Sequence, residues 1–224
     1  MKRVILPVAL AIASQLLAQR VPAQSVADRL TGRVPPRVVT AVEEMTVQAQ
    51  ARGLPAEPLI QKALEGGAKR VPAERVIAAL RILAARLDIA RTALRDGGIA
   101  TPGAAAVEGG AYALNAGLTP RQVRDLGRVS RPPYEPALTL RVAATITALG
   151  VPAPQGVQLI RHMIQAGRAP NDLLDLPADV QLSIARGASP AQAAEGLDID
   201  NQNQGQEGQH GNEGQEGRPQ PHRP

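Results

Sequence analysis

Two carboxylates stand in the same local setting: Glu65 in Leu64-Glu65-Gly66-Gly67 and Glu108 in Val107-Glu108-Gly109-Gly110. A pair of acids is the minimum equipment for glycoside cleavage, one group giving a proton to the leaving oxygen and the other acting as base or nucleophile. Lys69 and Arg70 follow the first pair of glycines, so residues 63–76, ALEGGAKRVPAERV, also have the ingredients of a phosphate-cradling loop. Such a loop needs two spaced glycines, then Lys and a Ser or Thr for magnesium, between a strand and a helix. Here the glycines are adjacent, a helical pattern precedes them, and no hydroxyl residue follows Lys69. A corner between helices is the simpler reading. Gly66 and Gly67 end one helix, Pro72 begins the next, and Lys69 and Arg70 suit the negative end of the first helix dipole.

A third block argues against chemistry at the acids. Leu59 to Gly67 lies over Leu159 to Gly167, which puts Gln165 where Glu65 stands, and Gln neither gives nor takes a proton. His162 falls opposite the Leu159, Ile160 and Met163 stripe and reads as a surface residue, while His210 and His222 have no metal-ligand spacing. Ser130, Ser183 and Ser189 lack the Gly-x-Ser-x-Gly setting of a nucleophile. Arg131-Pro132-Pro133-Tyr134 reads as a loop before a helix. The sequence therefore nominates no catalytic, cofactor-binding or metal-binding residue, and no cofactor.

The elements that position these residues are helices. One device recurs: Gly or Arg, a small apolar or hydroxyl residue, then Pro. It appears at Arg33-Val34-Pro35, Gly53-Leu54-Pro55, Arg70-Val71-Pro72, Gly117-Leu118-Thr119-Pro120, Gly150-Val151-Pro152, Arg168-Ala169-Pro170 and Gly187-Ala188-Ser189-Pro190. Each copy stops one helix and starts another. Between corners the apolar spacing is helical, most clearly at Val76, Leu80, Leu83, Leu87, Ala90 and Leu94, which share an arc of about 80°. Helices are expected over 36–51, 56–65, 73–95, 103–115, 120–128, 135–148, 154–166 and 178–186. No stretch alternates with period two, so no sheet is expected. The fold class predicted is all-α, an array of short antiparallel helical hairpins followed by a disordered tail.

Composition sets the remaining limits. The chain has 224 residues, no Cys, Phe or Trp, and two Tyr. The core must come from Leu, Ile, Val, Met and much Ala, which suits close helix packing. Absence of Cys excludes disulfides, thiolate metal sites and a Cys nucleophile. Residues 1–23 read as a cleaved export signal: Lys2 and Arg3, an apolar run from Val4 to Ala18, then Val21-Pro22-Ala23 before Gln24. That run is short against the ~20 residues a membrane-spanning helix needs. Residues 24–195 form the helical domain, with 20 basic and 15 acidic residues, and 196–224 a Gly/Gln/Glu-rich tail with two Arg and five acids. The basic residues are dispersed and lack interleaved aromatics, which speaks against nucleic acid. The five glycines Gly205 to Gly217 at every third position are too few for a collagen-like triple helix.

The stretch Gly53-Leu54-Pro55-Ala56-Glu57-Pro58-Leu59, then Lys62-Ala63-Leu64-Glu65-Gly66, then Lys69-Arg70-Val71-Pro72 with the helix after it, resembles a block in exported bacterial proteins of helical-repeat type. The resemblance covers residues 53–83 and implies a bacterial envelope setting; it implies no activity and no catalytic residue. The expected function is an exported, periplasmic or extracellular helical binding or scaffolding protein, non-enzymatic, whose partner is another envelope protein. The alternative is an envelope hydrolase or glycan-modifying enzyme using Glu65 and Glu108.

Overall fold

The computed structural model describes residues 25–210, with side chains through residue 200. The expected signal over 1–23 and the last residues of the expected tail, 211–224, lie outside it. The described residues form ten helices and no strand: α1 (Val26–Leu30), α2 (Pro36–Ala51), α3 (Glu57–Ala68), α4 (Ala73–Asp96), α5 (Ala104–Ala116), α6 (Pro120–Val129), α7 (Pro136–Ala148), α8 (Ala153–Gln165), α9 (Pro170–Ala185) and α10 (Pro190–His210). The chain is all-α, as its periodicity predicts. Each helix packs on those one or two places away in sequence. Thus α4 lies on α2, α3, α5 and α6, while α7 lies on α5, α6, α8 and α9.

The corners work by one mechanism. At Gly53, with φ of +68°, the chain turns left-handed, and the next N–H, that of Leu54, donates to the Ala49 carbonyl at 2.9 Å. This is the Schellman closure, and it explains the apolar residue in the sequence device. Leu54 itself is buried. The same bond recurs from Leu118 to Ala113 and from Val151 to Ile146, with Leu118 and Val151 also buried. Proline then opens α2, α6, α7, α9 and α10 at its first turn. Thr119 adds a capping box before α6: its hydroxyl accepts from the Gln122 N–H, and Gln122 Oε1 accepts from the Thr119 N–H.

The corner at 69–72 departs from this pattern. Gly66 and Gly67 do not end α3; they lie inside it, and Arg70 takes the left-handed seat with φ of +52°. The glycines serve packing instead. A Cβ on Gly66 would stand 2.6 Å from Cγ2 of Val76, and one on Gly67 would overlap the Arg33 carbonyl oxygen. Gly109 and Gly110 act likewise within α5, where a Cβ on Gly110 would stand 2.8 Å from that of Ala90. The proposed equivalence of Glu65, Glu108 and Gln165 does not hold by position either. Glu65 is near the end of α3, Glu108 in the first half of α5, and Gln165 is the last residue of α8. Replacing Arg70 by Gly is expected to raise stability by about 0.5–1 kcal/mol, because a side chain in the left-handed region costs about 1–2 kcal/mol, partly offset by the greater freedom of unfolded glycine. Chemical denaturation followed by helical circular dichroism checks this.

Three further differences concern the C-terminal half. The helix expected at 178–186 begins at Pro170 and carries Pro177 within it. Proline there forfeits one backbone hydrogen bond, but Leu173, Leu176 and Val180 are buried on one face and hold the helix together. The boundary expected at 195/196 falls inside α10. Ala193 and Ala194 are buried and Leu197 packs against the core, so the apolar stripe continues past the composition change. His162, expected on the surface, is half-buried: its Nδ1 lies 2.8 Å from Oδ1 of Asp198, joining α8 to α10.

The core is aliphatic and rich in alanine. Along α4, Val76, Leu80, Leu87, Ala90 and Leu94 are buried and Leu83 is partly so, which reproduces the predicted stripe. Tyr134 is the one buried aromatic; its hydroxyl donates to the Arg168 carbonyl at 2.5 Å and ties the loop before α7 to the start of α9.

Candidate functional site

Glu65 and Glu108, nominated from sequence only as acids in like settings, line the same cavity. It is an open groove of about 850 Å³ between α3, α4, α5 and α7. Helical periodicity supplies each wall. From α3 come Glu57, Gln61 and Glu65, at a spacing of four, with Lys62 beside them. The floor comes from α4, with Ile82, Leu83, Arg86 and Leu87. On α5, Glu108, Tyr112 and Asn115 occur at steps of four and three, and α7 adds Arg141 and Thr145.

The groove has an apolar base and a charged rim. Ile82 and Tyr112, each 52 % exposed, are large apolar side chains left in solvent on a chain that buries most of its others. The volume lies within the roughly 300–1,000 Å³ typical of ligand pockets.

The acids are largely neutralised by neighbours. Glu65 bonds Lys62 at 2.8 Å and Lys69 at 2.6 Å, and these two ammonium groups hold its carboxyl down to about 2. A group ionised to that degree has no proton to give at neutral pH. Glu57 is likewise lowered to about 2, first by hydrogen bonds from Arg29 and then by the Gln61 amide. Glu108 faces Arg141 at 3.9 Å. Arg86 differs: it bonds the Asn115 side-chain oxygen, and among the described residues no carboxylate lies within ion-pair distance of it.

The lowered carboxyls have a consequence for stability. A carboxylate favoured in the folded chain contributes above its ordinary value of 4.5, and that contribution is lost as pH falls toward about 2. Both side chains are about half exposed, so screening leaves each a few tenths of a kcal/mol. Glu57→Gln is expected to flatten the fall in stability between these two values while leaving neutral-pH stability nearly unchanged, as read by denaturation across pH.

The other residues singled out from sequence take structural places. Lys69 serves Glu65, and Arg70 is exposed at the corner. The Ser130 hydroxyl donates to the Leu126 carbonyl at 2.7 Å and closes α6. Ser189 caps α10 by accepting from the Gln192 N–H. Among the described residues no group of three His, Cys, Asp or Glu converges to hold a metal, and no helix is long and apolar enough to cross a membrane.

Sequence reasoning missed Ile82, Arg86 and Tyr112 as a site. The signal was present: Ile82 and Ile89 are large aliphatics seven residues apart, both off the buried stripe of α4, with Arg86 between them. No protein family matches the chain, and no curated protein or solved structure is detectably similar to it.

Proposed function

We propose that this is an exported binding or scaffolding protein of the bacterial envelope that holds its partner in the groove over α4. The observation that carries the reading is the pairing of exposed Ile82 and Tyr112 at the base of an 850 Å³ groove whose acids already have cations of their own. Exposed apolar side chains gathered in a concavity mark an interaction surface rather than a solvated face. The export and envelope parts of the reading rest on the N-terminal pattern at 1–23 and the 53–83 resemblance. A cell fractionation of the tagged full chain tests them, with a shortened product outside the cytoplasm as the expected result. The groove is tested by comparing the wild-type chain with Ile82→Asp in retention of envelope proteins. Loss of a specific partner from the variant is expected; identical retention overturns the groove.

A second reading is favoured by one observation, that Glu65 and Glu108 line one cavity. In it the protein is an envelope hydrolase acting on glycan. The clamping of Glu65 by two lysines weighs against a proton-donor role. Peptidoglycan-cleaving activity abolished by Glu65→Gln and by Glu108→Gln would establish this reading in place of the first.

A further inference from the structure

We propose that the groove receives a helical segment of a partner protein carrying an acidic residue midway between two apolar residues two turns apart. This rests on the reading of the groove as the binding surface and adds the class of partner. The exposed flank of α4 is longer than the main cavity. Arg75 and Ala79 border a smaller hollow of about 160 Å³, Ile82 and Arg86 the main groove, and Ile89 a third hollow of about 340 Å³ against the start of α6. Ile82 and Ile89 are separated by seven residues, or about 10 Å along the helix. Apolar side chains at the same spacing on a partner helix meet both, which is the helix-in-groove mode of recognition.

Charge decides what lies between them. The carboxylates of the main cavity have cations of their own, Glu57 with Arg29, Glu65 with two lysines and Glu108 opposite Arg141. Arg86, half-buried and bonded among the described residues only to a neutral amide oxygen, has no carboxylate among them to match its positive charge at the centre of the apolar line. A partner carboxylate there completes a charge-assisted pair, whereas a partner cation is repelled. The same charge disfavours a second copy of this chain, since symmetric pairing about the centre of this flank sets Arg86 against its own image.

The test uses the full chain and fluorescence anisotropy with two labelled, alanine-rich helical peptides. Both carry leucines two turns apart; one has Glu midway and its twin has Lys. The Glu peptide is expected to bind at least ~10-fold more tightly than the Lys twin, and Arg86→Glu is expected to reverse that order. Equal binding of the twins, or an order unchanged by Arg86→Glu, overturns the acidic partner while leaving the groove as a binding surface. If the wild-type chain binds neither peptide, the proposal and the groove reading both fall. Arg86 is a surface residue of a long helix, so its substitution leaves the core intact.

Discussion

Leu94→Ala will cost the fold about 3–5 kcal/mol. Leu94 is fully buried near the end of α4, where that helix meets α6. It fills space that its neighbour cannot: the facing residue is Gly127, whose position lets a Leu94 methyl come so near that an added Cβ would lie 3.0 Å from it. Truncation removes three carbons' worth of transfer energy and leaves a cavity beside a residue with no side chain to move into it. The backbone there is held by the Ile99 N–H bond to the Leu94 carbonyl at 3.1 Å, so local collapse is restricted. For a domain of this size each kcal/mol moves the melting temperature by about 2–4 °C, so a fall of roughly 6–20 °C is expected. Thermal unfolding followed by far-ultraviolet dichroism reads it. A fall under about 2 °C would mean that α4 and α6 do not pack as described.

Gly67→Ala will also destabilise the protein, by about 1–3 kcal/mol, against the sign that helix propensity alone predicts. Within a helix, Gly→Ala ordinarily gains up to about 1 kcal/mol. At Gly67 the new methyl runs into the Arg33 carbonyl and stands 2.7 Å from Cγ1 of Val34. Both atoms belong to the turn between α1 and α2, where the Val34 N–H donates to the Leu30 carbonyl at 3.2 Å and the Val34 side chain is buried. A flexible side chain would yield; the backbone of a turn whose Arg33 and Val34 N–H groups are both bonded to the Leu30 carbonyl does so only at a cost. Gly196, inside α10 with nothing within 4 Å of an added Cβ, provides the opposite case. Gly196→Ala is expected to raise stability by up to about 1 kcal/mol. Denaturant midpoints of the two variants should move in opposite directions, and a gain from both would show α3 standing clear of the α1–α2 turn.

These two glycines mark how far the sequence could be read. Helices betrayed themselves through apolar spacing and through Gly-apolar-Pro corners, because both signals are local. The paired glycines were legible as small residues but not as packing residues, since what they touch is far along the chain: Val76 for Gly66, Arg33 for Gly67 and Ala90 for Gly110. Adjacent glycines favour helix ends when nothing else decides, and here a close helix crossing decided otherwise. Pro177 misled for a related reason: burial of Leu173, Leu176 and Val180 outweighed its local preference.

The site was legible only in pieces. Glu65 and Glu108 were visible as acids in matching settings, and they do share a groove, yet matching context was not what brought them together. The α5 helix presents Glu108 and Tyr112 on one face, and α4 supplies Ile82 and Arg86 between α3 and α5. That arrangement depends on the lateral order of four helices, which no single helix encodes. Clamping of Glu65 by Lys62 was foreseeable from spacing, as the two lie three residues apart on a helix.

The proposed meeting place of this protein and its partner is the groove over α4. A photo-reactive amino acid placed at residue 112 of the full chain, activated in intact cells, tests it most directly. The same group at residue 50, on the exposed side of α2, is the control. A discrete cross-linked species is expected from position 112 that disappears in Ile82→Asp, and none from position 50. Equal cross-linking from both positions, or none from residue 112, would contradict it.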